Sequence, residues 1–160
     1  MSFLKEYESL FALLLIFIPF IAGLSSFFIK SNTKRRIILV LVSVIHFILS
    51  LYSISADFCG IKILSGLVGE RFVSSVFAKV SLFTSSFLFL IVSFYLVRYF
   101  KIEYNSKRSD EEGFILSDEP EAIFTGFLLL FLSAMTLVHF SAHMGLLWAS
   151  IEATTLFSAP

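Results

Sequence analysis

Charge is scarce in this 160-residue chain: Asp, Glu, Lys and Arg together make up 15% of it, against 58% hydrophobic residues and a mean hydropathy of +0.93. A water-soluble fold of this length has too little interior to hide so much apolar surface. Net charge is missing too, because twelve basic and twelve acidic residues cancel, and without a basic excess there is no electrostatic footprint for nucleic acid. A single cysteine, Cys59, excludes an internal disulfide and a metal framework built on cysteine. Seven glycines and three prolines are too few for a collagen-like or low-complexity chain, and 21 phenylalanines are too many for a disordered one. No GxSxG elbow, phosphate loop or HExxH segment occurs. Nothing therefore points to covalent chemistry, a cofactor or a bound metal, and the class left standing is an all-α membrane protein.

The charges that are present divide the chain into apolar stretches of the length that a hydrocarbon layer of roughly 30 Å demands, about 20 helical residues. Three spans follow directly, at about 10–29, 37–56 and 80–97. In the first, 14 of 20 residues are Leu, Ile, Phe or Val, each favouring insertion by roughly 0.3–0.6 kcal/mol near the helix centre. That stretch is too long for the apolar core of a signal peptide, and Glu6 and Glu8 spoil the positive flank such a peptide needs. Pro19, in mid-span, is expected to kink the helix, with a neighbouring helix satisfying the freed carbonyl. The stretch from 122 to 160 carries one formal charge, Glu152, and is too long for one crossing. It reads as a fourth and a fifth helix joined by a turn near Ser141-Ala142-His143, the fifth cut short. The chain thus divides into a three-helix region over 1–100, a polar loop over 101–121 and a helical pair over 122–160.

Lysine and arginine near span ends are retained on the cytoplasmic side. Lys30, Lys34, Arg35 and Arg36 follow the first span, and Arg98, Lys101, Lys107 and Arg108 follow the third. Both ends are expected inside, which places the N-terminus outside a multi-pass protein of the inner cell membrane. The segment 60–77 is too broken by glycine and charge to span and is expected outside the bilayer in short extended pieces. The acids late in the 101–121 loop, Asp110 to Glu121, read as a solvated connector.

Glu152 is the most informative residue, since a carboxylate at mid-helix costs roughly 2.5–3.5 kcal/mol on insertion scales. An ionisable group in such a place is a proton-transfer candidate by default; the plainer reading is a packing group. Gly145, Ala149 and Ala153 leave room for a close helix, Thr155 reaches the same face, and Trp148, four residues earlier, either shields the site or marks the interface. On the second span, Ser43, His46, Ser50, Ser53 and Asp57 recur at alternating intervals of three and four. They share one helical face, which must meet protein or water, with His46 as the natural relay. Ser81, Thr84 and Ser85 in the third span read as packing. His139 and His143 stand four apart, but with no further ligand and a turn between them they suit a relay better than a metal.

The segment from Gly126 to Met135, GFLLLFLSAM, and that from Met144 to Leu156, MGLLWASIEATTL, resemble the fourth and fifth helices of the antiporter-like subunits shared by respiratory complex I, membrane-bound hydrogenases and multisubunit sodium/proton antiporters. The run Ile-Glu-Ala-Thr-Thr-Leu is most similar to hydrogenase-4 component F. Val80 to Ser86, with Tyr95 and Arg98-Tyr99-Phe100, is similar to the family's third helix. The resemblance implies that the chain is the N-terminal part of a larger multi-helix fold, with residues 122–160 opening the first of two inverted repeats. It implies that Glu152 is the fifth-helix glutamate of a proton half-channel, whose partner lysine lies beyond this sequence. Lys79 stands where relatives often carry an acid.

The function expected is that of a proton-translocating subunit, in fragment, of a redox-driven complex of the NADH dehydrogenase or hydrogenase type, not itself the redox enzyme. Its partners would be the other membrane subunits of such a complex, the lipid bilayer, and protons or sodium ions. Two alternatives are a sodium/proton antiporter subunit, and a small membrane interaction or assembly protein in which Glu152 only packs.

Overall fold

The computed structural model describes residues 2–29, 31–55, 76–107, 119–141 and 143–158, and of 2–12, 55, 76, 103–107 and 119–120 the backbone course only. The described residues form five helices: α1 (Ser2–Phe28), α2 (Asn32–Ser55), α3 (Val76–Lys107), α4 (Glu119–Phe140) and α5 (Met144–Ser158). Three of them contain stretches long and apolar enough to cross a membrane, Asn32–Ile54, Phe77–Ile102 and Glu121–Phe140, and α1 adds a shorter apolar length, Leu13–Phe28. The 15 residues of α5 rise about 22 Å. The segment 60–77, expected in extended pieces, lies outside the described residues up to position 75, after which α3 begins. Asp57 also lies outside them.

Helices begin farther out than the apolar stretches do, and α3 also ends farther out. Charge gaps mark where a chain can sit in hydrocarbon, whereas backbone hydrogen bonding continues through Lys5, Glu6 and Glu8 at the start of α1 and through Lys101 to Lys107 at the end of α3. The loop expected over 101–121 is therefore helical at both ends, and its middle, 108–118, lies outside the described residues. The basic link after the first span is likewise shorter than expected. Lys34, Arg35 and Arg36 stand in the first turns of α2, where Arg35 is buried and donates to the Ser26 carbonyl (3.3 Å) and to Asn32.

Cross-helix contacts fix the topology. Arg36 meets Glu121 and His46 meets Thr136, so α2 and α4 run parallel; Ser43 meets Ser93 and Phe47 meets Phe83, so α3 runs against α2. Ser133 donates to the Ile16 carbonyl (2.9 Å) and Phe27 lies edge-on to Phe127 (5.7 Å), so α1 runs against α4. These four helices form an up-and-down bundle with α2 and α4 facing each other across it and α1 and α3 on the flanks. Leu39, Val42, Phe89, Leu96, Leu129 and Leu132 form its main apolar core; Leu15, Leu82 and Phe140 form a second cluster toward the other end. Helix α1 runs unbroken through buried Pro19, and the Ser133 bond falls beside the carbonyl that proline leaves without its usual donor.

One contact is unusually close. A β-carbon on Gly23 would stand 3.0 Å from the Gly126 carbonyl oxygen and 3.0 Å from Leu130 Cγ, so the pair of glycines lets α1 and α4 approach backbone to backbone. The outer faces are strongly apolar: Ile21, Phe28, Ile37, Ile48, Phe77, Leu88 and Tyr95 are all exposed. An apolar exterior around polar interior contacts reverses the pattern of a water-soluble bundle.

Candidate functional site: the polar interior and the α5 carboxylate

The polar residues singled out on α2 and α5 lie in two places, the middle of the bundle and the outside of α5. In the bundle, Ser43, His46, Ser50 and Ser53 are all buried, so the stripe on α2 faces protein. His46 sits at the centre and is held by both ring nitrogens. Nδ1 lies 2.9 Å from Ser86 Oγ on α3, and Nε2 lies 3.0 Å from Thr136 Oγ1 on α4. Each of these hydroxyls also stands 2.7 Å from the carbonyl four residues back on its own helix, that of Leu82 and of Leu132.

One turn along α2, Ser43 Oγ and Ser93 Oγ on α3 stand 2.6 Å apart, each also within reach of a carbonyl on its own helix. Ser50 and Ser53 bond back to Phe47 and Leu49 on α2 itself and reach no other helix. These back-bonds satisfy a hydroxyl without water, which is how serine is accommodated where the surroundings are apolar. Ser85, which the sequence suggested was mere packing, lies 3.0 Å from His139 Nε2 and so ties α3 to α4 beside the His46 cluster. Thr84 is exposed and bonds only to its own helix.

His139 and His143 do not form a pair. His139 ends α4 and points to Ser85; His143 lies in the turn and caps α5, its Nδ1 accepting the Gly145 N–H at 3.2 Å. Among the described residues no group of three His, Cys, Asp or Glu is placed to hold a metal ion.

Glu152 lies on the side of α5 turned away from the bundle. Helix α5 turns Leu146, Ser150 and Phe157 toward the bundle, with Leu146 against the Leu15–Leu82–Phe140 cluster and the Phe157 ring 6.1 Å from that of Phe127. Two residues past Ser150 is about 200° around the helix, so Glu152 points away and is exposed. With Ala153, Thr155 and Leu156 it lines a shallow open depression. Trp148 and Leu156 beside it are exposed as well. Thr155 bonds to the Ile151 carbonyl (3.1 Å), not to Glu152. The carboxylate and the His46 cluster are thus not brought together.

A third polar contact was missed in the sequence. Arg36 grips Glu121 with both guanidinium arms, at 2.7 and 2.9 Å, and reaches the Phe100 carbonyl at 3.3 Å, joining α2, α3 and α4 at one end of the bundle. Ser86, Ser93, Ser133 and Thr136 were missed as well. Ser86 and Ser93 share one face of α3 with Leu82, Phe89 and Leu96 at alternating intervals of four and three, but hydroxyls and apolar residues on the other faces hide that alternation in the sequence. No family model, characterised protein or solved structure matches this chain.

Proposed function

We propose that this chain is an integral membrane protein and a proton-translocating part of a redox-driven complex of the NADH dehydrogenase or hydrogenase type, in which Glu152 exchanges the proton where α5 meets a further helix. The observation that carries the reading is the position of Glu152. It is an ionisable group within an apolar helix, on a face that α1–α4 leave uncovered. A carboxylate so placed is too costly to leave against lipid, so the face calls for protein or water. Gly145, Ala149 and Ala153 along α5 are small enough to admit another helix closely. The resemblance of the Ile151–Leu156 run to the antiporter-like subunits supports the same role.

The test uses the assembled complex in its own membranes, with proton flux measured per electron transferred. Glu152→Gln keeps size and hydrogen bonding but removes the exchangeable proton. Assembly should persist while coupled flux is lost. Normal coupled flux in this variant would leave the second reading, an interaction or assembly protein, which the same uncovered face also favours.

The orientation proposed is an external N-terminus in the inner membrane, from the Lys and Arg residues at the α1–α2 link and the end of α3. Thr33, exposed at the start of α2, is the place to probe it. A thiol in Thr33→Cys should react with an impermeant reagent only after permeabilisation; reaction in intact cells reverses the assignment.

A further inference from the structure

Four polar contacts meet around His46, and each requires one hydrogen. They are Ser86 Oγ to Nδ1 (2.9 Å) and to the Leu82 carbonyl (2.7 Å), and Thr136 Oγ1 to Nε2 (3.0 Å) and to the Leu132 carbonyl (2.7 Å). Carbonyl oxygens only accept, a hydroxyl has one proton, and a neutral imidazole has one N–H. Three hydrogens therefore serve four contacts. One hydroxyl must turn from its carbonyl to donate to the bare ring nitrogen, and there are two equivalent ways to do so. With the ring proton on Nδ1, Thr136 donates to Nε2 and the Leu132 carbonyl goes without; with it on Nε2, Ser86 donates to Nδ1 and the Leu82 carbonyl goes without. One added proton fills all four contacts at once.

We propose that His46 is a tautomer-switching proton relay between α3 and α4, with Ser86 and Thr136 as its positioning residues. A proton arriving through one hydroxyl binds the bare nitrogen beside it, giving a transient imidazolium with every contact filled. Loss of the other ring proton through the opposite hydroxyl restores the neutral ring in the second tautomer. One proton enters, one leaves, and no other species is needed.

One ionisable side chain neighbours the relay. His139, three residues beyond Thr136 on α4, is the ionisable neighbour close enough to interact electrostatically with His46, and its contact with Ser85 extends the cluster toward the end of α4. The other facing groups are remote. The Arg36–Glu121 pair lies about 15 Å away along α2 and Lys79 about 10 Å from Ser86 along α3, at the helical rise of 1.5 Å per residue; the stretch 13–29 of α1 has no ionisable residue.

The relay rests on the proton-transport reading for its purpose but not for its test. The test is nitrogen NMR of the whole chain, labelled at histidine and embedded in lipid nanodiscs, with the His46 signals assigned by their loss in His46→Gln. Wild type should show both neutral tautomers. Thr136→Val should leave only the Nδ1–H form, because Ser86 can then accept from the ring and still donate to Leu82. Ser86→Ala should leave only the Nε2–H form. Thr136→Ser, which keeps the hydroxyl, should retain both tautomers, and unchanged His139 signals report that each variant is folded. A single wild-type tautomer, unmoved by either substitution, overturns the relay. Glu152→Gln should leave these signals alone, so failure here and failure of the Glu152 reading are separate outcomes.

Discussion

In α1–α4 the polar side chains turn inward and find partners: His46 with Ser86 and Thr136, Ser43 with Ser93, His139 with Ser85, Arg36 with Glu121. In α5, whose backbone packs on α4 alone among the described residues, Trp148, Glu152 and Thr155 turn outward and bond to no other helix. The two regions have similar composition, so the difference lies in what each has around it. The bundle is closed on itself. One side of α5 is closed by α4, and the other presents small residues, a tryptophan and a carboxylate. The first region resembles a finished interior; the second resembles half of an interface.

The largest effect that can break this comparison is on transport. If the α5 face is a proton site, Glu152→Gln should lower coupled flux by about a hundredfold or more, the scale of a lost acid–base group. Glu152→Asp keeps the charge but shortens the reach by one methylene, so part of the flux should survive. A bundle hydroxyl such as Ser50, which bonds only to Phe47 on its own helix, should be replaceable by alanine with little change in flux. Equal flux in Glu152→Gln and Ser50→Ala would erase the distinction between the regions.

Next in size is the ion pair that closes the bundle end. Arg36 and Glu121 side chains are 17% and 12% exposed, so Glu121→Ala takes the facing carboxylate from a largely buried guanidinium. Glu121→Ala should cost about 3 kcal/mol, the low end for a broken buried pair because Arg36 retains some access to water. The double variant Glu121→Ala/Arg36→Met should cost less than Glu121→Ala alone. Unfolding titrations in detergent measure both, and a double variant weaker than either single one would show that the pair acts through other partners.

How much of this was legible in the sequence depended on contrast. On α2 the alternating intervals of Ser43, His46, Ser50 and Ser53 stand out because the rest of the helix is apolar, and all four are buried. On α3 hydroxyls occur on several faces, at Ser81, Thr84, Ser85, Ser86 and Ser93, and the apolar residues give no help. A helix with an apolar exterior is hydrophobic all round, so inward Leu82 and Phe89 look no different from outward Phe87 and Leu88. Arg36 and Glu121 lay at the edges of two segments read as loops, and a pair separated by 85 positions leaves no local trace. The break between Phe140 and Met144 was legible, whereas the side of α5 that meets α4 was not. Gly145, Ala149 and Ala153 suggested close packing, but the residues that pack are Leu146, Ser150 and Phe157.

The smallest predicted effect sharpens the comparison at three glycines. At Gly23 a methyl group would meet the Gly126 carbonyl oxygen and Leu130 Cγ, both at 3.0 Å. A backbone oxygen cannot step aside, so Gly23→Ala should destabilise by about 1–3 kcal/mol, the range for overpacking, less up to about 1 kcal/mol gained from helix propensity. Gly126→Ala is more crowded on paper, 2.7–3.0 Å from the Phe27 ring, yet that ring is 38% exposed and can swing outward, so its cost should be the lower of the two. Gly145, on α5, would meet only the exposed His143 ring, at 3.3 and 3.4 Å. Gly145→Ala should therefore not destabilise the isolated chain, and helix propensity should add up to about 1 kcal/mol. The assembled complex should reverse that tolerance: Gly145→Ala and Ala149→Leu should weaken association without weakening the isolated chain against unfolding, because the space they fill belongs to a partner helix. Association and unfolding measured on the same variants separate the two cases. Unimpaired association of Ala149→Leu would mean that no helix comes close to α5 on its uncovered side.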